Sequence, residues 1–490
     1  MSTQSAPPVP LPPNPVILEI NTWPWLTRLA GSGEGTVRSD TPLSLAAVPE
    51  HEWDRIAGSG VDAVWLMGVW TRSVAGVAIA LDDDGLVSTF REALPDFISE
   101  DVVGSPYCVK EYTVDERLGG ADGLAIARAA LARRGVGLIL DFVPNHVAVD
   151  HAWVTHHPSW FVLGGRDDLQ GRPKEFVTAG EVVIANGRDP HFPPWTDVAQ
   201  LNVFEPRLRA QLVATVASIA AQCDGVRCDM AMLVTNAIFS RTWGHRVGPP
   251  PSTELWPALI ATIRADHPDF QFIAETYWDT ERLLVEQGFD LCYDKPLYDA
   301  LAHRHSDFRT LLSADAAFGR RLLRFIENHD EPRAAVVFGA RQRAAAVAAL
   351  TLPGGRLVHD GQQTGARIRL PVQLGRFPVE SEDRQLIRFY RVLLQLVAEE
   401  VFHTGDWSLW APPGADADAT SVLGWTWTLD ADVRLVLVNL ADTEATVVID
   451  IPLPQPRLLG DHDALDSAHD GGTQVRLGGH GYAILAGREA

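Results

Sequence analysis

An arginine and an aspartate lie two residues apart in a mostly apolar stretch of this sequence. The stretch is CDGVRCDMAML, residues 223–233, which for the most part is typical of a buried strand but contains Arg227 and Asp229. Burying a charge is costly unless the charge is paired or used. Side chains two residues apart on a strand point to the same side, so we expect both to face one site. The arginine is expected to lower the pKa of Asp229 and keep it ionised, which suits a nucleophile or an electrostatic stabiliser.

A second carboxylic acid, Glu275, lies in a different setting, within the apolar run FIAET at residues 272–276. Removal from water disfavours the charged form of a carboxyl group and raises its pKa. Glu275 is therefore expected to stay protonated and to act as a proton donor. One carboxyl group of lowered pKa and one of raised pKa at a single site are what a retaining glycosidase requires.

Further polar residues collect at the carboxyl ends of apolar runs. They are Asp141, Asn145, His146, Asn328, His329 and Asp330. A single member of this set could be a helix cap, and Asp330 before Glu331 and Pro332 fits a helix start. Helix capping does not account for the whole set. In a parallel barrel such strand ends converge on one mouth, where active sites lie.

Eight short apolar runs provide the elements that would position these residues. They lie at residues 16–23, 61–68, 135–143, 225–231, 270–277, 289–294, 322–330 and 354–361. Helix-like stretches follow them, and strands that alternate with helices indicate parallel βαβ units. Eight such units predict a (β/α)8 barrel. An open, doubly wound sheet is the alternative, which is weakened because no glycine-rich phosphate loop follows the first run.

Changes in pattern divide the chain into segments. The Pro-rich residues 1–15 are expected to be disordered. The barrel is predicted to span residues 16–403, with an excursion domain at about 147–203 where Trp, His and Pro are frequent. Strand-like runs separated by turn residues predict a C-terminal antiparallel β-sandwich over residues 404–490.

Composition excludes several classes of function. The chain has 490 residues and a net charge of −22, and such an acidic surface repels nucleic-acid phosphates and anionic membranes. We therefore expect no nucleic-acid partner and no membrane partner. The sequence has no apolar run long enough for a transmembrane helix and no signal-peptide pattern at its start, so a cytoplasmic location is expected.

The four cysteines do not indicate a metal centre. They are Cys108, Cys223, Cys228 and Cys292, too few for a disulfide scaffold. The spacing of Cys223 and Cys228, without a second pair, does not match a zinc site. Buried free thiols are the better interpretation.

In its motifs and their order, the chain resembles the α-amylase family, glycoside hydrolase family 13. Over residues 15–400 the resemblance lies in DFVPNH (141–146), GVRCD (225–229), AET (274–276) and ENHD (327–330). Two further segments are similar to the family, GSPYCVKEY (104–112) and AQLN (199–202). Any one motif is a weak signal, but four in the right order over about 190 residues are specific.

The resemblance implies a role for each matched residue. Asp229 matches the nucleophile that forms a covalent β-glycosyl-enzyme, Glu275 the general acid/base, and Asp330 the third carboxylate, which binds sugar hydroxyls and distorts the ring. The residues that match substrate-binding or supporting positions are Tyr107, Asp141, His146, Arg227, His329 and Arg333. Among these, Tyr107 matches the tyrosine that stacks under the sugar at the cleavage point.

The sequence also departs from the family. Many endo-acting members carry a Lys-His pair three and four residues after the nucleophile, where this chain has Met232 and Leu233. Apolar residues there, and an arginine such as Arg333 after a proline, resemble exo-acting α-glucosidases and transglycosylases. Asn145 matches a calcium ligand in many members, but no clear acidic loop completes a site. We expect no cofactor and no metal, with calcium as the open alternative.

The implied function is a retaining α-glycoside hydrolase or transglycosylase that acts on short α-glucosidic substrates, with a small carbohydrate as its partner. A dedicated α-glucan transferase or isomerase of the same family is the alternative, because the motifs do not decide whether water or a sugar hydroxyl reaches the covalent intermediate. A non-catalytic barrel homologue fits poorly, because all three carboxylates are present.

Overall fold

Eight parallel strands close into a barrel in the computed structural model, which describes residues 7–31, 41–303, 308–312, 315–410, 422–449, 457–459 and 473–488. The barrel strands are β1 (Val16–Asn21), β2 (Ala63–Met67), β3 (Gly137–Phe142), β4 (Gly225–Cys228), β5 (Gln271–Ala274), β6 (Leu291–Tyr293), β7 (Leu322–Arg324) and β8 (Gly355–His359). Each strand pairs with its neighbours in the chain, and β8 pairs with β1. Every one of the eight apolar runs contains one strand, so the predicted (β/α)8 barrel is confirmed and the open-sheet alternative is wrong.

The barrel strands are buried along almost their whole length. One face of each parallel strand fills the barrel and the other contacts the surrounding helices, so both faces favour apolar residues. This is why VILEIN in β1 and GLILDF in β3 form continuous apolar runs. Two acidic residues interrupt them, Glu19 and Asp141, and both are buried. Their burial requires polar partners inside the barrel.

The outer layer consists of α-helices. The longer ones are Thr22–Ala30, Glu50–Ala57, Val74–Asp82, Asp84–Ala93, Gly120–Ala132, Pro206–Ala220, Asn236–Trp243, Leu255–Asp266, Lys295–His303, Gln342–Thr351 and Arg384–Val397. Short helices span Ala152–His156, Arg166–Gly171, Glu281–Glu286, Phe308–Leu312, Ala316–Gly319, Ala334–Val337 and Glu400–Thr404. None of the described helices is long and apolar enough to cross a membrane.

The helix before β4 illustrates how the sequence forms this layer. Pro206 occupies its first turn, and the carboxylate of Glu205 accepts a hydrogen bond from the backbone N–H of Arg207. Both features are common at helix starts. Its buried residues recur at spacings of three and four, which gives one apolar face against the barrel. They include Leu208, Leu212, Val216 and Ile219.

After β3 the chain leaves the barrel and forms an antiparallel sheet. Its strands are His146–Ala148, Leu163–Gly164, Phe176–Ala179, Val182–Gly187 and Trp195–Gln200. The first strand pairs with the last, with His146 opposite Gln200. The sheet lies in the segment where we predict the excursion domain, and its first strand begins one residue earlier, at His146.

Antiparallel sheets also follow the barrel, as predicted. Five strands form one sheet, in the order Asp406–Trp410, Val422–Leu429, Asp432–Asn439, Tyr482–Arg488 and Arg457–Leu459. Ala445–Ile449 and Thr473–Leu477 form a second. Residues of both sheets share one apolar cluster, for example Leu435, Val447 and Val475. The predicted C-terminal antiparallel region is confirmed.

The prediction of disorder at the N-terminus is wrong for residues 7–15. Asn14 is buried, its side-chain oxygen accepts a hydrogen bond from the Gly354 N–H, and its side-chain nitrogen donates to the His403 carbonyl. A proline-rich segment has no periodic apolar pattern, so its sequence did not reveal that hydrogen bonds hold it against the barrel. Residues 1–6 lie outside the described residues.

Candidate active site

The carboxyl ends of the barrel strands surround a cavity of about 320 Å³. This volume falls in the range of roughly 300–1,000 Å³ that is typical of small-molecule sites. Predicted site residues that line it are Tyr107, His146, Asp229, Glu275 and Asp330. Lining residues that the sequence analysis did not single out include Trp195, Asp197, Met230, Tyr277 and Gln373. The structure thus brings all three predicted catalytic carboxylates to one cavity.

Arg227 links two of these carboxylates. Its Nη1 lies 3.0 Å from Oδ1 of Asp229, and its Nη2 lies 2.7 Å from Oε2 of Glu275. The guanidinium is buried, and the aromatic rings within about 6 Å of it belong to Trp65, Tyr107 and Tyr293. Paired carboxylates and aromatic faces both favour a buried cation. Arg227 and Asp229 therefore face one site together, as their spacing predicts.

The pKa of Asp229 is raised, contrary to our expectation from the sequence. Burial of the carboxylate is the largest single cause and raises its pKa, and the charges of Asp330 and Asp141 raise it further, so that together they outweigh the lowering by Arg227. The sequence indicated the arginine partner, but it indicated neither the depth of burial nor the nearby acids. Arg227 also divides its charge between Asp229 and Glu275.

The pKa of Glu275 is raised to about 7. A raised pKa is what its apolar sequence surroundings predict. Burial is the main cause, and Asp229 and Asp330 add to it. The Tyr277 hydroxyl donates to Oε1 at 2.9 Å, and the Met230 backbone N–H donates to Oε2 at 2.7 Å. Met230 has φ of +41°, a conformation that costs energy for residues with a side chain. A carboxyl group with a pKa near neutrality can both give and regain a proton.

His329 lies between two carboxylates. Its Nδ1 is 2.5 Å from Oε1 of Glu19, and its Nε2 is 3.0 Å from Oδ2 of Asp330. Burial opposes protonation, but Asp330 and Glu19 raise the pKa of His329 to about 10. Although burial acts in the other direction, the charged imidazole in turn lowers the pKa of Asp330 to about 2. Asp330 is therefore ionised at the pH at which Glu275 is half protonated.

Glu19 is a site residue that sequence reasoning missed. It is fully buried in β1, 310 residues away from His329 along the chain. The available signal was a lone acid in the apolar run VILEIN, where burial demands a partner. A further contact of His329 is the Tyr107 hydroxyl, 2.7 Å from Nε2.

Asp141 and His146 occupy different depths of the site. Asp141 is buried and does not line the cavity, and its carboxylate accepts hydrogen bonds from the Trp65 Nε1–H at 3.1 Å and the Gly68 N–H at 2.9 Å. Burial raises the pKa of Asp141 to about 6. His146 lines the cavity beside Trp195, and burial lowers its pKa to about 4. His146 is therefore a neutral imidazole near neutrality.

The predicted substrate-binding residue Arg333 does not line the cavity. Its Nη1 lies 2.7 Å from Oε1 of Glu327 and 3.0 Å from Nδ1 of His359, and its Nε donates to the Ile368 carbonyl. These groups hold the guanidinium inside the protein, where the side chain is 3% exposed. Arg333 supports the segment that leads to a neighbouring cavity.

That neighbouring cavity has a volume of about 470 Å³ and shares Asp330 and Gln373 with the first. His329 and Arg369 line it, together with Glu92 on the helix Asp84–Ala93. The two cavities therefore meet at Asp330. The second one adds the polar side chains of His329, Arg369 and Glu92 on that side of the site.

The four cysteines are free and buried, as the sequence analysis expects. Sγ of Cys223 lies 3.3 Å from the Ile219 carbonyl oxygen and 3.2 Å from that of Gly225. Burial raises the pKa of the Cys223 and Cys228 thiols. Thiols of raised pKa are poor nucleophiles and poor metal ligands.

The residues around Asn145 do not fit the calcium site that the family resemblance implies. The Asn145 side-chain oxygen accepts a hydrogen bond from Nε2 of Gln200 at 2.9 Å, so it is already engaged. In the part of the chain that the structure describes, no group of three or more His, Cys, Asp or Glu residues could hold a metal ion.

Fold and site together define a (β/α)8-barrel protein with a carboxylate-lined cavity at the carboxyl ends of its strands. No family model matches the sequence. α-Amylase MalA of Haloarcula japonica is 26% identical over 326 residues, which cover 64% of this chain and 44% of that protein. The match thus spans less than half of that relative.

Solved structures share the fold over nearly the whole chain. An α-amylase from Lactobacillus plantarum has a TM-score of 0.68 at 18% identity and covers 97% of this chain and 99% of its own. Cyclic α-maltosyl-(1→6)-maltose hydrolase from Arthrobacter globiformis has a TM-score of 0.67 at 18% identity, and the match covers 98% of this chain and 100% of that protein's chain. With the MalA match, these findings show that the chain is similar in sequence to an α-amylase and shares its fold with α-amylases and a related hydrolase of α-glucosides.

Proposed function

We propose that this protein is a retaining α-glycoside hydrolase or transglycosylase that acts on short α-glucosidic substrates. The observation that carries the proposal is the shared contact of Asp229 and Glu275 with Arg227, at 3.0 and 2.7 Å, in the wall of one cavity. Retention requires two carboxyl groups about 5–5.5 Å apart. Two carboxylates bound to neighbouring nitrogens of one guanidinium support such a short separation.

In the proposed first step, the Asp229 carboxylate attacks the anomeric carbon of a bound glucosyl unit. The glycosidic C–O bond breaks, and Glu275 donates its proton to the departing oxygen. An ester between Asp229 and the sugar results, with inverted configuration. In the second step Glu275 takes a proton from water or from a sugar hydroxyl, whose oxygen displaces Asp229 and restores the configuration. Water yields hydrolysis, and a sugar yields transfer.

The other ionised groups support this chemistry. A positive charge develops on the sugar ring in the transition state, and the ionised Asp330 at the cavity wall stabilises it. The protonated His329 holds Asp330 in place through its Nε2–H, whereas neutral His146, which lines the cavity, can donate to or accept from a sugar hydroxyl. Sugar hydroxyls need both kinds of partner.

The preference for short substrates rests on the side of the cavity near Glu275. The lining residues that contact Glu275 there are Met230 and Tyr277, one apolar and one aromatic. Met232 and Leu233, at the positions of the polar pair of endo-acting relatives, are buried in the core and offer no side-chain hydrogen bond. A hydrogen bond contributes roughly 0.5–1.5 kcal/mol, so the loss of about two would weaken the binding of a polymer about tenfold.

We expect higher initial rates on maltose or maltotriose than on soluble starch, and transfer products at high sugar concentration. The first-formed anomer should be α, because two inversions retain the configuration. Chromatography of all products and proton NMR during the first minutes measure both. Faster degradation of starch by random internal cuts would contradict the preference for short substrates, and a β-anomer formed first would contradict the mechanism.

The pH dependence of kcat/KM should be bell-shaped, with its alkaline limb near pH 7. Glu275 must be protonated to act as an acid and has a pKa of about 7, so activity is lost as pH rises through that value. Asp229 must be ionised, so activity is also lost as pH falls through its raised pKa. Initial rates from pH 4 to pH 10 measure the profile. A rate that stays constant up to pH 9 would contradict the role of Glu275.

A further inference from the structure

Three carbonyl oxygens converge on one side-chain nitrogen at the junction of the barrel and the antiparallel sheet. Nε2 of Gln200 lies 2.9 Å from the backbone oxygen of Asn145, 2.9 Å from its Oδ1 and 3.1 Å from the backbone oxygen of Leu201. Gln200 is fully buried, and Asn145 is nearly so. Several carbonyl oxygens that point at one buried centre are the usual surroundings of a hard cation.

Backbone groups determine the orientation of the Gln200 amide. Its Oε1 accepts a hydrogen bond from the Arg188 backbone N–H at 3.3 Å, and a backbone N–H can only donate. Its Nε2 faces backbone carbonyls, which can only accept. The side chain of Asn145 completes a reciprocal pair by donating from Nδ2 to Oε1 of Gln200 at 3.3 Å. The nitrogen, not the oxygen, therefore occupies the centre.

The junction supports the candidate active site. Asn145 ends the loop after β3, and Gln200 ends the last strand of the excursion sheet, where it pairs with His146. The Asn145 side-chain nitrogen also lies 3.3 Å from Nδ1 of His146. The contacts of one glutamine thus connect the barrel to the strand that carries a cavity-lining histidine.

We propose that the amide of Gln200 takes the place of a bound cation at this junction and makes the site independent of metal. Calcium requires about six to eight oxygen ligands at roughly 2.3–2.6 Å. Here the oxygens stand at hydrogen-bonding distances of 2.9–3.1 Å from a nitrogen, and this donor rather than an ion lies at their centre. The partial positive charge of the N–H groups satisfies the buried side-chain oxygen of Asn145 and the buried backbone oxygen of Leu201, and adds to the hydrogen bond that the Asn145 backbone oxygen accepts from the Leu201 N–H.

Thermal unfolding of the full chain tests this proposal in EDTA and in millimolar calcium chloride. For the wild-type protein we expect the same Tm in both, and no stoichiometric calcium in equilibrium dialysis. Gln200→Glu replaces the donor nitrogen by an oxygen of nearly equal size, so that a carboxylate faces three carbonyl oxygens. At a pH above neutrality we expect this variant to lose several degrees of Tm in EDTA and to regain most of that loss in calcium.

Gln385→Glu makes the same chemical change at an exposed position at the start of the helix Arg384–Val397, and its Tm should not respond to calcium. Stabilisation of the wild-type protein by calcium would overturn the proposal. A Gln200→Glu variant as stable in EDTA as the wild type, or one whose loss calcium leaves unchanged, would also overturn it. These measurements require no substrate, so they remain decisive even if the proposed activity is wrong.

Discussion

Asp229→Asn is expected to lower kcat/KM by about 10^4-fold or more while the protein stays folded. The amide keeps the shape of the side chain and can still accept a hydrogen bond from Arg227, 3.0 Å away. It cannot form the ester with the sugar, because it has lost the nucleophilic charge. Rates on maltotriose, with circular dichroism and Tm for the fold, measure the outcome.

The matched control is Asp224→Asn. Asp224 comes directly before the first residue of β4, whereas Asp229 follows the last. It is also buried, and it forms an ion pair with Arg128 at 2.8 Å. It does not line the cavity, so its removal should lower Tm and leave the activity of the folded molecules near the wild-type value. Activity of the Asp229 variant near that of the wild type would show that another group attacks the sugar.

Glu275→Gln should lower the rate on substrates with poor leaving groups by about 10^2–10^4-fold. The amide can accept the contact from the Met230 N–H, but it cannot donate the proton that the departing sugar oxygen needs. An activated aryl glycoside needs little protonation, so the formation of the covalent intermediate should slow far less on that substrate. Burst-phase release of the aryl group, compared with maltose turnover, measures the difference.

Glu281→Gln is the control for this experiment. Glu281 lies six residues after Glu275 in the chain and is also buried. Its pKa is raised as well, but it does not line the cavity. Both rates of this variant should stay close to the wild-type rates. An equal loss on the two substrates in Glu275→Gln would argue against Glu275 as the acid.

Local pattern predicted the barrel because a parallel strand is buried on both faces, which makes a continuous apolar run such as VILEIN. The polar residue at the end of such a run points to the mouth of the barrel, so Asp229 and Glu275 could be placed at one site before any contact was known. The N-terminal residues 7–15 have no such pattern, and only contacts such as those of Asn14 reveal their packing.

The sequence by itself therefore determined the architecture, the order of the motifs and the three carboxylates of the cavity. Tertiary structure alone decided the raised pKa of Asp229, the placement of Arg333 away from the cavity, and the contact of Glu19 with His329. The physical reason is that desolvation and Coulomb energies depend on distances in space. Glu19 and His329 lie 310 residues apart in the chain and 2.5 Å apart in the fold.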